Sequence, residues 1–299
     1  PVPSSRHTAM SPTPASTPCP APTAPANVLS IAGTDPTGGA GIQADLKTFG
    51  ALGAYGMAVV TAVVAQNTQA VRVVSPLAPE LVQAQLEAVF EDVAVAAVKI
   101  GMVANAGIAE AIAEVLARHR PPFVVFDPVM AASTNKRLMN ESDLERIRTV
   151  LLPQVSLLTP NLKEAARLLG IAQPADEAGM RACLPALQAL GVPNVLLKGG
   201  HLADDTPDAP ESTDLLATPE GVIRLSAPRI ATRHGHGTGC TLSSAIAALW
   251  PQHGLEKATR MAKDYVHGAL LHADALRVGH GRGPLHHFWQ AVHLPGQLA

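Results

Sequence analysis

The sequence predicts an α/β protein, a three-layer α/β/α sandwich on a mostly parallel central sheet. Three observations predict it. Short continuous apolar runs rich in Val, Ile and Leu alternate with segments whose apolar residues recur at helical spacing, the pattern of strands buried on both faces beneath helices. An apolar run from Asn27 to Ala32 ends in a glycine-studded loop, G-T-D-P-T-G-G-A-G, that opens a helix carrying Leu46, Phe49 and Leu52. A second glycine turn, H-G-H-G-T-G-C from His234 to Cys240, feeds a run of small and apolar residues that reaches Trp250.

The elements follow in order. Met57 to Ala65 reads as one β-branched strand ending in Gln66, Asn67 and Thr68, and Leu81 to Phe90 as a helix. Val95 to Ile100 is a buried strand before Gly101 and Met102, Ile108 to Arg118 a helix, and Phe123 to Phe126 a strand that stops at Asp127. Ser142 to Leu152 reads as a helix, Val155 to Leu158 as a strand, and Asn161 to Leu169 as a helix closed by Gly170. Val195 to Leu197 leads into Lys198-Gly199-Gly200, and a polar acidic loop runs from Ala203 to Ser212. Asp214 to Ala217 and Val222 to Leu225 form a hairpin. The helix after the glycine turn is expected to end at Pro251, and a last helix to run from Leu255 to about Arg277. In open α/β sheets ligands bind beyond the carboxyl ends of the strands. Gly33, Gln66, Met102, Asp127, Asn161 and Lys198 fall at such ends and are expected around one crevice.

Residues 1–26, rich in Pro, Ser, Thr and Ala, cannot bury enough apolar surface to offset their ordering entropy and read as a disordered tail without a secretory h-region. Residues 27–299 are expected to form a single domain. A formal charge of −2 gives no basic field for nucleic acid or an anionic membrane. The apolar run at Met57 is far short of the roughly 20 residues that span a bilayer. Three cysteines, Cys19, Cys183 and Cys240, lie far apart with no C-x-x-C, so neither a disulfide framework nor a zinc site is indicated. A soluble, cytoplasmic protein is expected.

The turn at Gly235, Gly237 and Gly239 is an anion-binding design. A helix N-terminus leaves backbone amides unpaired and carries about half a positive charge, and glycines let a phosphate approach them. The plainer alternative is a tight turn capped by Thr238.

The segments A-G-T-D-P-T-G-G-A-G-I-Q-A-D-L-K-T, V-V-A-Q-N-T, K-I-G-M, D-P-V-M, T-P-N-L-K-E-A, L-K-G-G-H and H-G-T-G-C-T-L-S, in this order, resemble the hydroxymethylpyrimidine/phosphomethylpyrimidine kinases of thiamine biosynthesis, within the ribokinase-like superfamily. The resemblance spans about Asn27 to Phe288. It implies ATP- and Mg2+-dependent phosphorylation of 4-amino-5-hydroxymethyl-2-methylpyrimidine and then of its monophosphate, in a protein expected to be a homodimer. A pyridoxal kinase of the same fold is the alternative enzyme, and a catalytically silent pyrimidine sensor the alternative outside catalysis.

The resemblance puts Cys240 at the family's catalytic position, with Gly237, Thr238 and Gly239 offering amides to the transferring phosphate. A thiol at a helix N-terminus is expected to have its pKa lowered toward neutrality, where its thiolate could take the hydroxyl proton; a small residue packed at a crowded turn is the other reading. Gln66 carries the acceptor and donors an aminopyrimidine requires, and the resemblance assigns it to the ring. Gly33, Ala40, Met102 and Val129 would line that ring or simply belong to the core. Asp45 would meet the hydroxymethyl group or cap the following helix. Asn161 and Glu164 match the superfamily's N-x-x-E motif for phosphate and Mg2+, and also fit a capping box. Asp127 is a second candidate for magnesium. Lys198, with Gly199, would approach the nucleotide phosphates, against a plain surface lysine. His280, His286 and His287 lack metal-ligand spacing and read as structural or nucleotide-side residues.

Overall fold

A computed structural model describes residues 24–130, 141–200, 202 and 211–290. Residues 1–23 of the expected tail, and 203–210 of the acidic loop, lie outside that set. The strands are β1 (Asn27–Ala32), β2 (Tyr55–Val60), β3 (Ala62–Gln66), β4 (Val71–Pro76), β5 (Ala97–Ile100), β6 (Val124–Phe126), β7 (Leu157–Leu158), β8 (Asn194–Lys198), β9 (Glu211–Thr218) and β10 (Gly221–Pro228). The helices are α1 (Gly41–Ala51), α2 (Pro79–Phe90), α3 (Ala106–His119), α4 (Glu141–Arg146), α5 (Leu162–Leu169), α6 (Glu177–Gln188), α7 (Thr238–His253) and α8 (Leu255–Leu271).

Eight strands form the central sheet in the order β10-β9-β8-β7-β6-β5-β1-β2. β2, β1, β5, β6, β7 and β8 are parallel, and only β9 runs against its neighbours. Successive side chains on a strand point to opposite faces. Leu29, Ile31, Val98 and Ile100 therefore pack with Val82, Ile112, Leu151, Leu168 and Leu184 of the α2-to-α6 layer. Val28, Ala97, Val125 and Leu196 pack with Phe49, Ile246, Ala262 and Tyr265 of α1, α7 and α8. This is the three-layer α/β/α sandwich the alternating pattern implies.

The structure corrects several boundaries. The run Met57 to Ala65 is two strands, not one. The chain turns at buried Thr61, whose hydroxyl donates to the Met102 carbonyl at 2.6 Å, and β3 leaves the sheet to pair with β4. That antiparallel ribbon, with a bulge at Ala65/Gln66, and helix α6 are elements the periodicity did not indicate. Pro251 lies inside α7, which continues to His253 and ends at Gly254 with φ +70°. A proline so near the end forfeits little, because the last turn's bonds are already incomplete. α8 stops at Leu271, and a 3-10 turn over Ala273–Ala275 follows. The segment after α4 winds through a π turn (Ile147–Leu151) into a 3-10 turn (Leu152–Gln154). Gly170, in the left-handed region at φ +66°, closes α5 as expected.

Candidate active site

A cavity of about 790 Å3 opens at the carboxyl ends of the parallel strands. Two glycine loops build its floor. The first, between β1 and α1, is organised by Asp35, which is fully buried. One carboxylate oxygen accepts from the Thr37 amide and hydroxyl at 2.9 and 2.7 Å; the other accepts from the Gly39 and Ala40 amides at 3.2 and 2.8 Å and faces His236 Nε2 at 2.8 Å. Burial alone would raise the Asp35 pKa, but the hydrogen bonds from His236 first, then from the Gln66 side chain and Thr37, hold it well below the usual carboxylate range.

His236 belongs to the second loop, so Asp35 clasps the two loops together. The contact is close. Gly237, the N-cap of α7 at φ +85°, lies so near the first loop that a Cβ there would stand 1.8 Å from the Gly39 carbonyl oxygen. Only glycine fits. Thr238 does not cap α7; its hydroxyl donates back to the Gly235 carbonyl at 2.9 Å, which leaves the first amides of the helix to the cavity.

Gly33, Ala40, Gln66, Met102 and Val129 all line the cavity. Gly33 packs under Met102, whose terminal methyl would lie 2.3 Å from an added Cβ and would have to swing aside. Gly237, Thr238, Gly239 and Cys240 line it as well, as do Asp127, Asn161, Glu164 and Lys198. Lys198 is not a surface lysine: its ammonium meets Asp127 at 2.6 Å with its side chain 14% exposed. Burial opposes that charge, but Asp127 and Glu164 outweigh it and raise the pKa. Asn161 and Glu164 form a true capping box on α5, each side chain accepting from the other's amide at 3.0 and 2.8 Å. They face the cavity too, so the two readings of N-x-x-E are compatible. Burial, reinforced by Asp127, pushes the Glu164 carboxyl up to about 7 against the pull of Lys198.

Three placements differ from expectation. Asp45 neither reaches the cavity wall nor caps α1; helix numbering from Gly41 puts it one turn in, facing the sheet, where it pairs with buried Lys99 at 2.7 Å. Gly199 lies behind the wall, its amide donating to Asp214 at 3.0 Å, and Gly200 takes its place on the surface. The Cys240 thiol is pushed up to about 11 rather than lowered. Burial is the main cause; Lys99 and the Gly41 amide pull the other way without prevailing, while Asp45 and Asp127 add to the rise.

Sequence reasoning missed Asp35, His236 and Lys99. Asp35 and His236 are 201 positions apart, and no local pattern announces their pairing; a lysine inside a predicted buried strand was the signal available for Lys99.

Comparison with known proteins completes the picture. The sequence model of the phosphomethylpyrimidine kinase family matches residues 35–286. A hydroxymethylpyrimidine/phosphomethylpyrimidine kinase from Salmonella typhimurium is 53% identical over 263 residues, 88% of this chain and 97% of its own. Among solved structures, a phosphomethylpyrimidine kinase from Clostridium difficile superposes with a TM-score of 0.71 at 38% identity, covering 82% of this chain and 99% of its own. A pyridoxal kinase from Staphylococcus aureus, in complex with ADP, gives 0.81 at 30% identity, covering 91% and 96%. With motif order, fold and the match over most of its length in agreement, the chain belongs to the phosphomethylpyrimidine kinase family.

Proposed function

We propose that this phosphotransferase moves the γ-phosphoryl group of ATP to 4-amino-5-hydroxymethyl-2-methylpyrimidine and then to the resulting monophosphate, as a cytoplasmic homodimer. The observation that carries the reading is one cavity holding both an amide and apolar wall (Gln66, Met102, Val129) and an amide-lined helix terminus with Cys240. A flat aminopyrimidine needs the first. Phosphoryl transfer, through a loose transition state, needs mainly positioning and charge stabilisation, which the second provides.

Gln66 orients the ring by accepting from its amino group and donating to a ring nitrogen. The hydroxymethyl oxygen lies toward Cys240 while the Gly237 to Cys240 amides receive the spreading negative charge. Cys240 holds its proton in the free protein, and deprotonating a thiol with a pKa of about 11 at pH 7 costs on the order of 5 kcal/mol. Its base role therefore belongs late in the transfer, when the attacking hydroxyl has become acidic. Lys198, held by Asp127, offers a point charge to the nucleotide phosphates.

The donor set also suits Mg2+. Asp127 and Glu164 are two carboxylates lining one cavity, and Mg2+ in phosphoryl-transfer sites is usually held by one or two carboxylates together with phosphate and water. When bound, it neutralises phosphate oxygens. The dimer reading is supported by the β3–β4 ribbon, where Val63 and Val73 are 53% and 56% exposed.

Steady-state kinetics test these assignments. Gln66→Ala should raise KM for the pyrimidine by about tenfold or more while KM for ATP holds; equal effects on both count against the ring-binding role. Cys240→Ala should lower kcat by roughly 100-fold; full turnover would remove Cys240 from the chemistry. Pyridoxal kinase is the second reading, favoured by the higher TM-score of the Staphylococcus aureus enzyme, though identity runs the other way.

A further inference from the structure

Between β1, β5, α1 and α7 the fold encloses a charged cluster that phosphoryl transfer as described does not use. Lys99 stands on β5, on the face where strand alternation places Ala97 in the apolar layer of α1 and α7. Its ammonium lies 2.8 and 2.7 Å from the two oxygens of Asp45, and the Ser30 and Ser244 hydroxyls donate to the same carboxylate at 2.6 and 2.7 Å. Neither charged side chain has any solvent exposure. Apolar residues of similar volume usually serve stability as well as such a pair, or better.

Its position suggests another use. Ser244 lies one helical turn beyond Cys240 on the same face of α7, and Asp45 one turn beyond Gly41 on α1. The Gly41 amide faces the Cys240 sulfur. Two helix N-termini thus meet at Cys240, with the ion pair one turn behind both. Lys99 borders the same cavity as Gly237, Gly239 and Cys240. Gly101 leaves it room, since a Cβ there would stand 2.9 Å from the Lys99 nitrogen. At Cys240 the pull of Lys99 exceeds the push of Asp45.

We propose that Lys99 is a positioning residue for phosphoryl transfer: clamped by Asp45, its fixed positive charge backs the Gly237 to Cys240 turn and stabilises the negative charge that gathers there in the transition state. The proposal rests on the kinase reading and adds a residue that the sequence motifs leave unassigned.

The test compares the parent protein with the double variant Lys99→Met/Asp45→Asn, which removes the buried charges together. The double variant should show a kcat lower by on the order of tenfold, with KM for ATP and for the pyrimidine held within about twofold. A pair that serves only packing would move the melting temperature and leave kcat alike in the variant and the parent, and that result overturns the proposal. Should the double variant not fold, Lys99→Met/Asp45→Leu, an apolar replacement for the pair, is compared with the parent protein, and a kcat within about threefold of the parent's overturns it. Loss of folding in both charge-free variants assigns the pair to stability alone and also overturns it. Absence of transfer by the parent protein to any alcohol acceptor is the separate failure, that of the kinase reading itself.

Discussion

His287 shows how strongly the fold acts on a single titratable group. It is 4% exposed, its Nε2 lies 3.1 Å from the Thr241 hydroxyl, and its carbonyl accepts from the Tyr265 hydroxyl at 2.5 Å. Burial first, then the charges of Lys47 and His286, lower its pKa from 6.5 to about 4. Between those values the unfolded chain takes up a proton that the folded chain refuses. Stability is therefore complete above about pH 6.5 and declines as the pH falls toward 4, by an amount on the order of 2 to 3 kcal/mol. His287→Gln should flatten that acid limb in a scan of melting temperature against pH; parallel curves for the two proteins would refute the assignment. Residues at this scale were legible where a local motif carried them. Gln66, Met102 and Lys198 sit in short, ordered patterns at strand ends and Cys240 in the glycine turn that opens α7, and the structure brings them to one cavity. Lys99 and Asp35 were not legible as partners because their meaning lies in contacts with Asp45 and His236, on other elements.

Elements set what the loops can do. The two glycine loops meet through Asp35 with His236 and through Gly237 against Gly39, so the two loops are locked to each other on the cavity floor. Gly237→Ala would force them apart. Turnover per substrate encounter should fall by about 100-fold as the amides lose alignment. Gly254→Ala is the control: at φ +70° and ψ 175°, a region that essentially only glycine occupies, with open space around its Cβ, it should cost about 2 to 3 kcal/mol of stability and leave turnover unchanged. Equal kinetic losses in both variants would show that the effect is general strain. The β2/β3 break had no sequence signal, because Met57 to Ala65 is apolar throughout except Thr61. That break is made by tertiary bonds, from the Thr61 amide to the Ala32 carbonyl and from the Leu77 amide to the Thr61 carbonyl.

At the scale of the whole molecule, parallel strands covered on both faces leave an unbroken apolar signature, which is why the sandwich could be read from the sequence. α6 escaped because its apolar positions, Met180, Cys183, Leu184 and Leu187, sit among alanines, a glycine and Pro185 that blur the periodicity. Residues 1–23 precede the family match, which begins at residue 35. Their composition predicts no contribution to the core, so removing them should shift the melting temperature by less than about 1 °C and leave kcat unchanged; a larger shift would show that they dock on the domain. The central claim, transfer of phosphate to an aminopyrimidine alcohol, is tested most directly by mass-resolved turnover with Mg-ATP and four acceptors: hydroxymethylpyrimidine, its monophosphate, pyridoxal and ribose. The cavity predicts a mono- and then a diphosphorylated pyrimidine. Pyridoxal phosphate as the only product, or no transfer while the pyrimidine still binds, would contradict it.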